Sequence, residues 1–263
     1  MATPEGRPVW YELVSEEPAA AEGFYADVLN WRFTTPPGAG PSGYRMALAG
    51  QTPVAGMMPL GQDTSMMPRW LIYFAVDDVD ARAAAASGLG AAVHVPPTDI
   101  PGVGRFAFLT DPQGQPFYLL RRDDGAAADA FACGLDAAPG HAAWNELCAP
   151  EPDAALGFYT SLLSIRAEGA MPMGDLGMYR FIHAGADCIG AIMGPVPGSR
   201  PGWQVYFVVD DIDAALARVT QSGGRVVQEP LEIPGGAFSM VAEDREAARF
   251  GLVGPRHGAP MAM

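Results

Sequence analysis

The sequence contains no lysine, and all 16 of its basic residues are arginine. Schiff-base chemistry on a side-chain amine is therefore excluded. The 30 acidic residues bring the formal net charge to −14. Nucleic acids and anionic membranes are bound chiefly through clustered Lys and Arg. We therefore expect no nucleic-acid partner and no membrane partner.

Cysteines and long apolar runs are also scarce. The three cysteines, Cys133, Cys148 and Cys188, are odd in number and have no CxxC spacing, which argues against a disulfide framework and a zinc knuckle. We expect reduced, mostly buried thiols. No apolar stretch reaches the roughly 18 residues needed to cross a bilayer. The N-terminus lacks the basic and apolar regions of a signal peptide, so a cytoplasmic location is the default expectation.

Several catalytic signatures are missing from the chain. It has no GxSxG nucleophile elbow and no GxGxxG or GxxxxGK phosphate loop. Cys148 follows Glu146 by two residues, but no histidine adjoins it. It is more typical of a buried small hydrophobe than of a reactive thiol. The four histidines have no partner at metal-ligand spacing, and we interpret them as structural or exposed.

What the sequence does have is an internal duplication. Residues 9–31 match residues 143–165, aligning Trp10 with Trp144 and Glu12 with Glu146. Three more colinear blocks follow at a nearly constant offset, pairing 44–50 with 179–185, 70–85 with 203–218, and 99–120 with 232–253. Such self-similarity sets the architecture of the whole chain.

Each half divides again into two units of the same pattern. In the first unit, the alternating strand from Trp10 to Val14 precedes an Ala-rich helix over 18–29 that opens on a proline. The pattern then predicts strands at 31–35, 43–49 and 53–59, followed in the second unit by a strand at 70–76, a helix ending near 87, and strands at 91–95, 104–110 and 116–121. The chain is thus predicted to be α+β, with four βαβββ units.

The length of the chain and the repeat together predict two domains. A chain of 263 residues is long for one domain and comfortable for two. The predicted boundaries are 1–122 and 141–255, with an interdomain linker at 123–140 and a tail at 256–263. The linker is predicted because its residues are small and weakly patterned.

Three motifs carry a family resemblance. They are the strand-helix segments GFYADVLNW and GFYTSLLSI, the turns VDDVDA and VDDIDA, and DPQGQPF before a last strand. With these the chain resembles the vicinal oxygen chelate (glyoxalase/bleomycin resistance/extradiol dioxygenase) superfamily in a tandem two-domain form. The resemblance implies two glyoxalase-like domains in which paired units form cup-shaped mixed sheets that bind a small molecule. Members range from glyoxalases and dioxygenases to drug-sequestering proteins, so the fold alone leaves the function open.

The resemblance also implies a divalent metal held on the first and last strands of each unit. Counted from the motifs, the usual ligand positions fall on Trp10, Leu71, Tyr118, Trp144, Gln204 and Gly251. Tryptophan is only a hydrogen-bond donor. Only Gln204 in this set could serve as a ligand, so we predict no metal and no other cofactor.

The residues expected to line the cups are apolar and polarisable, with a few polar groups. The candidate ligand-binding residues are Trp10, Met58, Tyr73, Phe106, Tyr118, Trp144, Met193, Gln204 and Tyr206. This composition favours a flat aromatic or polyketide-like ligand. Glu12 and Glu146 share the strand faces of the two tryptophans. Each is interpreted either as a ligand contact or general base, or as part of a structural network with neighbouring Tyr and Arg.

Two functions from different classes follow, with a weaker third. The first is a metal-independent protein that binds a hydrophobic, aromatic small molecule in natural-product biosynthesis or self-resistance. The alternative is a cofactor-free cyclase, isomerase or hydroxylase that uses Glu12 or Glu146 as general base. A metal-dependent lyase or dioxygenase is the weakest. Tyr118 aligns with Gly251, which predicts that the two cups are not equivalent. Monomer and homodimer are both left open.

Overall fold

The computed structural model describes residues 3–36, 43–61, 66–123, 130–135 and 137–257. The strands, numbered along the chain, are β1 (Pro8–Ser15), β2 (Arg32–Thr34), β3 (Arg45–Ala49), β4 (Thr52–Pro59), β5 (Arg69–Ala75), β6 (Ala92–Ile100), β7 (Gly104–Thr110), β8 (Pro116–Arg122), β9 (Ala142–Cys148), β10 (Arg166–Pro172), β11 (Met178–Ala184), β12 (Asp187–Met193), β13 (Gly202–Val208), β14 (Arg225–Glu232), β15 (Phe238–Glu243) and β16 (Arg249–Gly254). The helices are α1 (Pro18–Leu29), α2 (Val79–Gly88), α3 (Pro152–Leu162) and α4 (Ile212–Gln221).

Hydrogen bonds join the strands into two mixed eight-stranded sheets. Their orders are β2-β3-β4-β1-β5-β8-β7-β6 and β10-β11-β12-β9-β13-β16-β15-β14. Adding eight to each strand number of the first sheet gives the second. The sequence repeat is therefore a structural repeat, and the predicted α+β class with four βαβββ units is confirmed. None of the helices described in the structure is long and apolar enough to cross a membrane.

The chain forms two compact units, which are not the same as the four βαβββ repeats. They are called the first unit and the second unit from here on and are described separately. The first contains Met1–Trp10, Leu71–Ala128 and Trp144–Gln204, and the second contains Tyr11–Trp70, Asp129–Ala143 and Val205–Met263. The boundaries predicted from the sequence follow the repeat instead and remain a proposal. Part of the predicted linker, 124–129 and 136, and most of the predicted tail, 258–263, lie outside the described residues.

A buried polar network organises the first unit. Trp203 Nε1 donates to the Tyr159 hydroxyl at 3.0 Å, and that hydroxyl donates to Asp111 Oδ2 at 3.1 Å. The other oxygen, Oδ1, accepts the backbone N–H groups of Gln113 and Gln115, both at 2.8 Å. Asp111 thus fixes its own turn and satisfies a fully buried tyrosine.

The second unit contains the matching network. Trp70 Nε1 donates to the Tyr25 hydroxyl at 2.9 Å, which donates to Asp244 Oδ2 at 3.0 Å. Asp244 Oδ1 accepts the N–H groups of Glu246 and Ala248, both at 2.9 Å. Both Phe-Tyr pairs of the repeat are buried. These four aromatic residues belong to the core.

The helix starts have two kinds of cap. The VDDVDA and VDDIDA motifs place Asp78 and Asp211 at the N-caps of α2 and α4, where each carboxylate accepts a backbone N–H. Helices α1 and α3 begin with proline and have no cap of their own. In the second unit, the Glu17 N–H before α1 donates to the Glu246 carboxylate. In the first unit, the Glu151 N–H before α3 donates to Gln113 Oε1.

Two local predictions need correction. The strand predicted at 91–95 runs on through two prolines to Ile100, because β6 lies at a sheet edge and its register with β7 shifts twice. An edge strand tolerates residues that cannot donate to a ladder. The three cysteines are free, but only Cys148 is buried, and Cys133 is exposed. Cys133 lies outside the strands and helices.

Candidate functional sites

The first candidate site lies on one face of β9 in the first unit. Asn145 and Leu147 are 1% and 0% exposed, whereas the alternate residues Trp144 and Glu146 are half-buried. Side chains alternate along a strand. Trp144 and Glu146 therefore share a face, as the sequence predicted.

Tyr179 of β11 connects these two residues. Trp144 Nε1 donates to the Tyr179 hydroxyl at 2.7 Å, and that hydroxyl donates to Glu146 Oε2 at 2.9 Å. An indole N–H can only donate, so the Tyr179 oxygen accepts it and directs its own proton to the carboxylate. This Trp-Tyr-Glu relay holds Glu146 as a hydrogen-bond acceptor.

The surroundings of the relay are apolar and rich in aromatic rings and thioethers. The Trp144 and Tyr179 rings lie 8° from parallel with centroids 6.5 Å apart, and the Phe181 ring stands edge-on to both. Tyr179, Ala191 and Met193 form a buried cluster. The partly buried hydrophobic residues packed on this cluster are Trp144, Met171, Met173, Phe181 and Val196.

The chain has two Met-rich segments, 57–68 and 171–178. In the described structure, 171–178 is the end of β10, a short 3-10 helix at Gly174–Leu176 and the start of β11. Two of its methionines contact the buried cluster, so the segment borders the first candidate site. Of the other segment, 57–68, residues 62–65 lie outside the described residues.

The equivalent position in the second unit carries Glu12, which is only 4% exposed. Glu12 is paired with Gly56 across β1 and β4, and Val14 with Met58. A Cβ atom at Gly56 would overlap the hydroxyl of Tyr44. Tyr44 thus lies over the backbone beside Glu12, and it aligns with Tyr179 in the repeat.

A second aromatic surface in the first unit lies on β5, β7 and β8. Tyr73 and Tyr118 are register partners whose rings stack at 4.0 Å with 2° between their planes. The Phe108 and Phe106 rings lie 4.7 Å and 6.0 Å from the Tyr118 ring. The structure thus brings together three predicted ligand-binding residues, Tyr73, Phe106 and Tyr118.

The second unit differs at the matching place. Tyr206 is paired with Gly251, and a Cβ atom at Gly251 would overlap the Tyr206 ring. The Tyr206 ring therefore lies against the Gly251 backbone, whereas Tyr73 stacks on a second ring. The remaining predicted residues, Trp10 on β1 and Gln204 on β13, are half-buried.

The residues at the family's metal positions do not fit a metal. The Trp144 indole N–H is bonded to Tyr179, and the Tyr118 ring is stacked on Tyr73. Across the described ranges, no three His, Cys, Asp or Glu side chains come together in a way that could hold a metal ion. Lewis-acid chemistry needs several such donors converging on one point.

Sequence reasoning missed two residues of these sites, Tyr44 and Tyr179. Both open the aligned YR blocks of the repeat, at 44–50 and 179–185. That shared tyrosine was the available signal. The hydrogen-bond partners of Tyr179 lie two strands away, on β9, and this pairing depends on strand order and register, which the repeat alone does not give.

Comparisons with known proteins agree with this architecture. The profile of the "Glyoxalase/Bleomycin resistance protein/Dioxygenase superfamily" matches residues 7–119 and 138–250. CFP32 of Mycobacterium tuberculosis, named provisionally as a glyoxylase, is 35% identical over 255 residues, which is 95% of each chain. The anthracycline biosynthesis protein DnrV of Streptomyces peucetius is 32% identical over 276 residues, 98% of this chain and 96% of its own.

Among solved structures, the Mn(II)-bound glyoxalase from Novosphingobium aromaticivorans superimposes with a TM-score of 0.64 and 17% identity, over 100% of this chain and 89% of its own. That likeness shows the fold alone. The two profile matches, one in each half, together with near full-length relatives above 30% identity, establish the family. The chain belongs to the glyoxalase/bleomycin resistance protein/dioxygenase superfamily.

Proposed function

We propose that this chain binds a flat, hydrophobic aromatic molecule without a metal, in a natural-product pathway. The observation that carries the proposal is the Trp-Tyr-Glu relay of Trp144, Tyr179 and Glu146, set among aromatic rings and methionines. Aromatic faces and thioethers favour flat, polarisable ligands, and one placed polar group supplies orientation.

The relatives support the same class of ligand. DnrV is named as an anthracycline biosynthesis protein, and anthracyclines are polycyclic aromatic compounds. This chain aligns with DnrV over nearly its whole length. We extend the class of compound, and not the individual molecule, to this chain.

Metal independence is the second part of the proposal. It is supported by the donor set, because the tryptophans at the family's ligand positions offer no lone pair to a divalent ion and the Tyr118 ring is stacked on Tyr73. Dialysis against a chelator is expected to leave the affinity for the aromatic ligand unchanged. Addition of Mn(II) is expected not to increase that affinity.

The test is a spectroscopic titration of chelator-dialysed protein with 9,10-anthraquinone and 2-hydroxyanthraquinone. We expect saturable binding that weakens about fivefold in Phe181→Leu, because an aromatic contact contributes on the order of 1 kcal/mol. The matched control is Leu231→Ala, an exposed apolar residue on β14 of the second unit. Absence of saturable binding, or equal weakening in both variants, would contradict the proposal.

A second candidate is a cofactor-free enzyme in which Glu146 acts as general base. The observation that favours it is the relay itself, because a carboxylate held as acceptor is ready to take a proton. Incubating the bound aromatic compound with the protein and following it by mass spectrometry separates the candidates. An enzyme would lose turnover at least 100-fold in Glu146→Gln, whereas a binder leaves the compound unchanged. Glu12→Gln tests the equivalent residue of the other half.

A further inference from the structure

We propose that Met171 and Met173 form an oxidation site, and that peroxide acting there weakens ligand binding beside the Trp-Tyr-Glu relay. This inference rests on the proposed function, because the ligand whose binding weakens is the aromatic molecule of that same site. The co-reactant is hydrogen peroxide or an organic hydroperoxide, and the modified residue is methionine sulfoxide.

The first step is the position of the two methionines. Met171 of β10 is the register partner of Tyr179 on β11, and paired residues of antiparallel strands point to the same face of a sheet. Met173 lies just after β10, where its N–H donates to the Gly177 carbonyl at 2.8 Å and its carbonyl accepts the Leu176 N–H at 3.2 Å. Both methionines pack on the buried cluster that contains Tyr179. The two thioethers therefore form one wall beside the relay.

The second step is the access of a small oxidant. Met171 and Met173 are half-buried, so each packs on the cluster and still meets solvent. Met193 in the same cluster is 3% exposed, whereas Met178 on β11 is 42% exposed. Met178 precedes Tyr179 directly and therefore lies on the opposite face of that strand. We expect peroxide to oxidise Met178 first, then Met171 and Met173, and Met193 last.

The third step is the chemistry of the thioether. A sulfur lone pair attacks one peroxide oxygen, and the O–O bond breaks as the S–O bond forms. The proton of the transferred oxygen passes to the leaving oxygen, which departs as water or an alcohol. Sulfur thereby loses two electrons to the peroxide.

The consequence for the site follows from polarity. Methionine is apolar and polarisable, whereas its sulfoxide is polar. A polar group held at an apolar contact without a compensating hydrogen bond is unfavourable. Oxidation of Met171 and Met173 therefore places polar groups in the wall that packs on the Tyr179 cluster. The affinity of that wall for a hydrophobic ring falls.

The test compares wild type with two leucine variants, before and after a fixed treatment with hydrogen peroxide. Peptide mass spectrometry locates each sulfoxide, and titration with 2-hydroxyanthraquinone gives the affinity. The double variant Met171→Leu/Met173→Leu keeps the apolar volume and forms no sulfoxide at either position. Met178→Leu removes an exposed methionine from the opposite face of β11 and is the matched control.

We expect oxidation to weaken binding about tenfold in wild type and in Met178→Leu, the effect of an uncompensated polar group at an apolar contact. The affinity of the double variant should change less than about threefold. The double variant keeps all three cysteines, so cysteine oxidation would still weaken its binding. Methionine sulfoxide reductases should restore the affinity of oxidised wild type. The two single leucine variants keep the test available if the double variant does not fold.

Two further readouts come from the same samples. A ring seated on the thioether wall covers Met171 and Met173, so saturating 2-hydroxyanthraquinone should slow their oxidation severalfold while Met178 is oxidised at its former rate. The melting temperature needs no ligand. Oxidation should lower it in wild type and leave it unchanged in the double variant.

Each outcome decides the inference. If Met171 and Met173 are oxidised and the affinity of wild type is unchanged, or if they stay reduced under conditions that oxidise Met193, the inference is wrong and the proposed aromatic binding stands. Equal losses in wild type and the double variant would also contradict it. If untreated protein does not bind the probe, the proposed function fails. A melting temperature that falls in wild type alone would then still support the oxidation site, and its absence would contradict that site as well.

Discussion

At the scale of residues, the fully buried tyrosines of the two Trp-Tyr-Asp networks link stability to alkaline pH. Burial, and then the nearby charge of Asp244 or Asp111, raises the pKa of Tyr25 and of Tyr159 well above the ordinary value. An unfolded tyrosine ionises near pH 10, whereas these two keep their protons in the folded state. Their contribution is therefore complete below pH 10 and is lost as the pH rises further.

We accordingly expect the melting temperature to fall steeply above about pH 10. Tyr25→Phe and Tyr159→Phe should each cost about 1–2 kcal/mol at pH 7, because an Asp acceptor and a Trp donor lose their partner. Each should also make the alkaline fall shallower. Thermal unfolding between pH 7 and pH 11 checks this, and a double variant with an unchanged alkaline slope would contradict it.

The residue scale also marks a limit of sequence reasoning. The donor-only chemistry of tryptophan makes Trp10 and Trp144 unsuitable as metal ligands from their identity alone, and strand alternation places Glu12 and Glu146 on the same faces. Tyr179 was not predicted, because it lies 35 residues from Trp144 and meets it only through the pairing order of β9, β11 and β12. Side-chain hydrogen bonds across strands need the register, and local periodicity does not supply it.

At the scale of elements, the N-terminus of helix α1 is capped by Glu246, a residue more than 200 positions away in the sequence. Glu246 accepts the N–H groups of Glu16 and Glu17 at 3.1 Å and 2.6 Å. We expect Glu246→Ala to lower the free energy of unfolding by about 1 kcal/mol, the usual magnitude for a lost helix cap. Gln113→Ala is the matched change for α3 in the first unit, where Gln113 accepts the Glu151 N–H at 2.8 Å. Denaturant titration checks both, and no loss in either variant would show that the caps are energetically silent.

Alanine substitutions at two strand glycines, Gly56 and Gly251, are expected to differ in how much they lower stability. Gly56 aligns with Ala191, where the methyl group coexists with Tyr179, so Gly56→Ala should cost less than about 1 kcal/mol after Tyr44 shifts its hydroxyl. At Gly251 the added Cβ would overlap the ring atoms of Tyr206. Gly251→Ala should cost about 2–3 kcal/mol, read by chemical denaturation. The reverse order would contradict the ring placement.

The elements themselves were the most predictable part of the fold. The helix over 18–29 and the strand over 104–110 were predicted with the observed bounds, because proline, glycine and apolar alternation mark them directly. The predicted strand ended before Pro96 because proline breaks a central strand. Since β6 is an edge strand, it continues through the prolines. Edge position is a property of the sheet and not of the segment.

At the scale of the whole molecule, the duplication predicted four βαβββ units, and the family resemblance implied that pairs of units form mixed sheets. The structure has two eight-stranded mixed sheets, each built from two of these βαβββ units. The compact units take segments from both halves of the repeat, whereas the boundaries predicted from the sequence follow the repeat. In the second unit, Tyr25 and Asp244 are 219 residues apart and form one buried hydrogen bond. A buried contact of that separation is decided by tertiary packing, so strand and helix periods could not reveal it.

The central claim is that this member of the superfamily binds an aromatic compound without a metal. The most direct measurement is the equilibrium titration of chelator-dialysed protein with 2-hydroxyanthraquinone, repeated in the presence of Mn(II), with metal content determined by elemental analysis. We predict saturable binding with the same Kd in both conditions and less than stoichiometric metal. Binding that appears only with Mn(II), at one ion per site, would contradict the account.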